Sequence, residues 1–146
     1  DGGMVRSLLP PVIVGEELWF YYHGFDRRHW QHSRSAIGLC TLRRDGFVSI
    51  NAGQEGWLLT PPVRIEGHHL WVNADASDGS LEVELCDLEG RPLEGFSRAD
   101  SAPITSDSIG RPCAWADGSR RAVPRGEPLR LKLYLKRAAL YAVWSE

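Results

Sequence analysis

An indole set among planar polar side chains is the combination in this chain best suited to chemistry, and it occurs most clearly around Trp30. Arg27, Arg28, His29, Gln31, His32 and Arg34 surround that ring without an apolar neighbour. A pyranose ring presents flat C–H faces that stack on an aromatic surface, while its hydroxyls call for donors and acceptors beside it. Trp30, with Arg28 and His32 as hydrogen-bonding partners, is therefore the first candidate for carbohydrate contact. The competing account is a ring folded back to cap the core. Trp71 is second, because strand alternation puts it on one face with Asn73 and Asp75. Trp115, inside a long polar stretch, is third. Trp19 and Trp144 lie in apolar strands and Trp57 opens one after Gly56, so these three are assigned to packing.

Other chemistries have thinner support. Glycoside cleavage needs two carboxylates, and Glu82 and Glu84 lie two residues apart on one strand face. The outer face of a half-buried sheet carries such residues anyway, and solvation equally accounts for Asp100 and Asp107. No GxSxG elbow accompanies the Ser, His and Asp residues. His23, His29 and His32 supply imidazoles but no third metal ligand at a defined spacing. The segment Asn73-Ala74-Asp75-Ala76-Ser77-Asp78-Gly79 offers oxygen ligands for a structural calcium, or simply an Asx-rich turn. No other cofactor is indicated, and no catalytic or metal residue is assigned.

These residues must be positioned by strands. Runs of five to nine residues alternate apolar and polar and are punctuated by Gly, Pro, Asp and Asn, which is the pattern of an antiparallel β-sandwich or jelly roll. In LRLKLYL, Leu129, Leu131, Leu133 and Leu135 face one way and Arg130, Lys132 and Tyr134 the other. SLEVELCDL and HLWVNADA repeat the logic, as neighbours joined through Asp78-Gly79. ELWFYYHGF, from Glu17 to Phe25, is apolar on both faces and reads as a strand covered on both sides. AIGLCTLRR and FVSINA flank Asp45-Gly46 and read as a hairpin. GWLLT, VRIE and ALYAVWSE complete the set, and the stretch from about Gly95 to Gly126 reads as a binding segment or a lid over a sheet edge.

Composition sets the outer limits. With 146 residues, 42% of them hydrophobic and 25% charged, the chain is long enough for one ordinary domain. A net charge of −2 leaves no electrostatic footprint for nucleic acid or an anionic membrane. The longest apolar run, Leu8 to Val14, is broken by Pro10-Pro11 and falls far short of the about 20 residues that span a bilayer. Three cysteines, Cys40, Cys86 and Cys113, allow one pair plus a free thiol but no disulfide scaffold. Any export signal would lie outside the chain as given.

The succession GEELWFYYHGF, IGLCTLRRDGFVSINAGQEGWLLTPPV, LWVNADASDGSLEVELCDLEGRPLEGFSRADSAPITSDS and PLRLKLYLKRAALYAVW resembles the C-terminal region of bacterial glycoside hydrolase-like proteins with five-bladed β-propellers. In those proteins the last propeller strands lead directly into a β-sandwich. The resemblance runs from about Gly15 to Trp144 and implies that residues 1–53 correspond to terminal blade strands and 54–146 to the sandwich core. It implies a non-catalytic carbohydrate-binding or accessory module, with an extracellular or periplasmic location. It leaves two alternatives: a structural domain capping a propeller, whose aromatic N-terminal surface would favour a homodimer or a parent catalytic domain, and a small glycosidase-type enzyme.

Overall fold

Leu129, Leu131, Leu133 and Leu135 do alternate inward, but the strand they build does not stop there. In the computed structural model, which describes every residue except Asp1, Leu8, Asp117 and Ser119, the two C-terminal strands expected from the sequence are one strand of 18 residues, Pro128–Ser145. The start of the apolar run at Leu8 lies outside the described residues. The elements are β1 (Met4–Ser7), β2 (Val12–Val14), β3 (Glu17–Phe25), β4 (Ser35–Arg43), β5 (Ile50–Leu59), β6 (Val63–Arg64), β7 (Leu70–Asp75), β8 (Ser80–Cys86), β9 (Asp107–Pro112) and β10 (Pro128–Ser145). Among the described residues all strand pairings are antiparallel, there are two sheets and there is no helix, as an antiparallel all-β sandwich class requires. The chain divides into two compact units, Asp1–Phe47 and Val48–Glu146, so its division falls six residues before the boundary expected at 53/54.

The larger unit is organised by β10. On one side β10 pairs with β6 and β5; on the other it pairs first with β8 and then, past its midpoint, with β7. The expected pairing of β7 with β8 is therefore corrected. The two lie end to end along the same edge of β10, with Ala139 opposite Asp75 and Lys136 opposite Ser80. The connector between them presses on β10 so closely that a Cβ at Gly79 would stand 1.7 Å from the Lys136 carbonyl oxygen. β10 bends here. Between the pairs Lys136–Glu55 and Ala138–Ala52, Gly53 and Gln54 of β5 stand against Arg137 alone, which is a β-bulge. Arg137 takes φ = 41°, and the inward positions step from Leu135 to Ala138 and Leu140.

The core collects Leu70, Val72 and Ala74 of β7, Leu81, Val83 and Leu85 of β8 and the leucines of β10. The long stretch 95–126 closes it, contributing Phe96, Ile104, Cys113, Trp115 and Val123. The same stretch satisfies the free edge of β8: the Leu85 amide donates to the Phe96 carbonyl (3.0 Å), and Leu81 and Ile104 exchange two bonds of 2.9 Å. An edge that would otherwise template another strand is thereby covered. The stretch expected as a lid over a sheet edge or a binding segment covers the edge of β8 with its backbone bonds. β9 within it, which pairs with β7, has no sequence signal because SIGRP carries both Gly and Pro.

The smaller unit is built on β3, with β1 and β2 end to end on one edge and β4 on the other. The hairpin expected across Asp45-Gly46 is corrected: the turn forms, with the Gly46 amide donating to Arg43 (2.9 Å), but β4 pairs with β3 and β5 with β10. Nor is β3 covered on both faces. Only Leu18 and Gly24 are buried, while Tyr21 is exposed.

Candidate functional site

Polar residues alternating with the core leucines of β8 and β10 form one outer face, which the C-terminal half of β5 extends. Two cross-strand rows define it: Trp57–Tyr134–Glu82 and Leu59–Lys132–Glu84. Strand pairing brings side chains in such a row within about 5 Å at Cβ. Trp57 is 63% exposed. The Lys132 Nζ lies 4.8 Å from the Trp57 ring centroid and 5.1 Å from that of Tyr134, so the cation rests between two aromatic rings. The Tyr134 hydroxyl beside it holds the ammonium above its ordinary pKa.

Arg98, delivered by the segment that edges β8, ties the face together. Its guanidinium lies 4.3 Å over the Tyr134 ring and donates to Glu82 through Nε and Nη2 (2.8 Å each) and to Glu55 (3.5 Å). The hydrogen bond to Glu82 raises the Arg98 pKa further. The Arg98 amide donates to Glu84 Oε2 (2.7 Å), while Glu84 Oε1 accepts from the Tyr134 hydroxyl (3.1 Å) and the Cys86 thiol (3.6 Å). Glu84 is 5% exposed. Both carboxylates thus orient an arginine, a tyrosine and a backbone loop. The result is a polar–aromatic platform: a largely exposed indole, with Lys132 over its ring, beside hydrogen-bonded donors and acceptors.

Sequence reasoning missed Trp57 because the apolar residues after it suggest a packed strand. The signal that could have found it is parity: Trp57 and Glu55 share a face, and Glu55 is charged.

The seven sequence candidates are not brought together. Trp30 is fully exposed in the smaller unit, at φ = 69°, with the His29 ring 6.1 Å away and His29 itself contacting Arg6 at 3.0 Å. Arg28 and His32 are exposed in the same loop. Trp71 is half-buried under the Arg120 guanidinium, 5.2 Å from its ring. Asn73, expected beside it on an open face, is fully buried. Asp75 accepts from the Ser77 amide (3.1 Å) and hydroxyl (2.7 Å), the geometry of an Asx turn. Trp115 is corrected outright as a ligand surface: it is fully buried, stacks edge-on with Phe96, and donates from Nε1 to the Val83 carbonyl (2.9 Å). Ser101 pairs with it across an isolated bridge, which explains the strand signal at Ala114-Trp115.

Among the described residues no cluster of three or more His, Cys, Asp or Glu side chains could hold a metal ion. All three cysteines are thiols; Cys40 is exposed, and burial pushes Cys86 up to about 11 and Cys113 up to about 12. No helix among the described residues is long and apolar enough to cross a membrane. Comparisons with protein-family models, with curated proteins and with solved structures give no match to this chain.

Proposed function

We propose that the unit Val48–Glu146 is a non-catalytic carbohydrate-binding module whose contact surface is the Trp57–Tyr134–Arg98–Lys132 face. One observation carries this reading: Trp57 projects an indole to solvent beside a cation and beside carboxylates that Arg98 holds in place. An open face of this kind suits an extended polysaccharide better than an enclosed small molecule. Such a module would serve a glycoside hydrolase-like parent outside the cytoplasm, as the sequence resemblance implies. Trp30, Arg28 and His32 remain a separate exposed cluster in the smaller unit.

Affinity electrophoresis through gels containing soluble glucans, xylans, galactans and mannans tests the proposal. The native chain is retarded by at least one polymer, and Trp57→Ala migrates freely without loss of folding. Free migration of the native chain in every gel, or equal retardation of the variant, overturns it.

A second reading, a structural domain or homodimer, is favoured by the apolar surface of the smaller unit, where Ile37 and Phe47 are 80% and 67% exposed. A monomer in light scattering at high concentration would remove the homodimer.

A further inference from the structure

We infer that the pocket at the β10 bulge is a second binding site, one that takes a single neutral sugar ring through adjacent hydroxyls. The pocket has a volume of about 390 Å³, within the range of small-ligand sites. Its polar lining is Asn51 of β5, Asp75 at the end of β7, Ser77 and Asp78 of the β7–β8 connector, and Arg137 of β10. Adjacent ring hydroxyls each donate one hydrogen and accept in return. A carboxylate accepts from two neighbours at once, and an amide or guanidinium donates back. A lining with two carboxylates, one of them (Asp75) already accepting from Ser77 through Oδ1, together with a guanidinium and an amide suits an uncharged polyol better than an anion or a lone cation.

Two features of the backbone point the same way. A Cβ built on Gly53 meets nothing within 4 Å, and Gly53 does not lie at positive φ. Neither conformation nor packing requires glycine there, and the missing side chain leaves the backbone of the pocket lining accessible. Gly79, at the other side of the same bend, is the opposite case, since the Lys136 carbonyl excludes any side chain. Arg137 holds φ = 41°, where glycine would be cheaper, and its side chain is exposed at the pocket rim. Bulges concentrate beside functional sites because they re-aim side chains.

The pocket shares its ligand class with the Trp57 platform but none of its residues. Asn51 is six positions from Trp57 along β5, about 20 Å at the rise of a strand. Either site can therefore fail alone.

Amide NMR titration of the full chain tests the inference, with D-glucose, D-galactose, D-mannose and D-xylose as probes and calcium chloride as a separate arm. At least one sugar should shift the amides of Asn51, Gly53, Ser77, Asp78 and Arg137 saturably. Gly53→Val, which adds a branched side chain to the pocket lining, and Asp78→Ala, which changes an exposed side chain, should each weaken that response about tenfold or more. Trp57→Ala should leave it intact. If Gly53→Val fails to fold, Asp78→Ala decides alone. The inference falls if no sugar moves these amides, if the variants respond like the native chain, or if calcium moves them and no sugar does. A silent pocket in a chain that still binds polysaccharide through Trp57 removes this inference and leaves the platform standing.

Discussion

The Tyr134 hydroxyl donates a 3.1 Å hydrogen bond to the carboxylate of Glu84, which lies almost wholly out of solvent on the neighbouring strand. That bond and the one from the Arg98 amide to the other carboxylate oxygen lock the loop carrying Arg98 onto the sheet. Glu84 thereby joins the Arg98 loop, Tyr134 and the sheet.

Removing it should be costly. Glu84→Ala strands the Tyr134 hydroxyl and the Arg98 amide, and hydrogen bonds to a charged group are worth about 1.5–3 kcal/mol each. A loss of about 2–4 kcal/mol in urea unfolding is expected. Glu84→Gln, which keeps the shape, should lose less. A neutral effect of Glu84→Ala would show that the buried carboxylate does not hold the loop.

The thiols predict an alkaline limit to stability. Burial, with a contribution from Glu84 at Cys86, raises Cys86 to about 11, and burial alone raises Cys113 to about 12, from an ordinary value of 9.0. Protons are thus held by the fold that the unfolded chain gives up near pH 9. The stabilisation is complete below pH 9 and declines as pH rises through 11 to 12. Unfolding midpoints measured from pH 8 to 11 should fall, and less steeply in Cys113→Ala measured against its own value at pH 8. In native conditions at pH 8 a thiol reagent should label Cys40 quickly and the other two only after denaturation. Rapid labelling of all three would contradict the packing.

Gly79→Ala should unfold or severely destabilise the chain, because the new methyl must displace the Lys136 carbonyl on the strand that organises the core. Gly53→Ala should be tolerated, with a midpoint within a few degrees of the native chain. Thermal unfolding followed by circular dichroism separates the two. Equal effects would mean that the connector does not press on β10 as described.

Much of the fold was readable because its apolar period is strict: Leu129 to Leu135, Leu81 to Leu85 and Leu70 to Ala74 all face the core as their alternation requires. Pairing was not readable. Asp45-Gly46 and Asp78-Gly79 look like hairpin turns locally, yet β4 turns back to the preceding strand β3, while β5, β7 and β8 all find β10, which is long enough to serve the three of them. The bulge was equally hidden, since Lys136-Arg137 reads as a break between two strands. At the site, local context misled in both directions. Trp115 sits among polar residues in sequence but is buried by tertiary packing, and Trp57 precedes Leu58, which packs on the core, but lies on the opposite face of β5.

Tryptophan fluorescence titrated with a panel of soluble oligo- and polysaccharides tests the central claim most directly, using the native chain, Trp57→Ala and Trp30→Ala. Saturable quenching by at least one glycan in the native chain and in Trp30→Ala, abolished in Trp57→Ala, is the predicted result. Quenching that survives Trp57→Ala and vanishes in Trp30→Ala, or a chain that no glycan quenches, would contradict it.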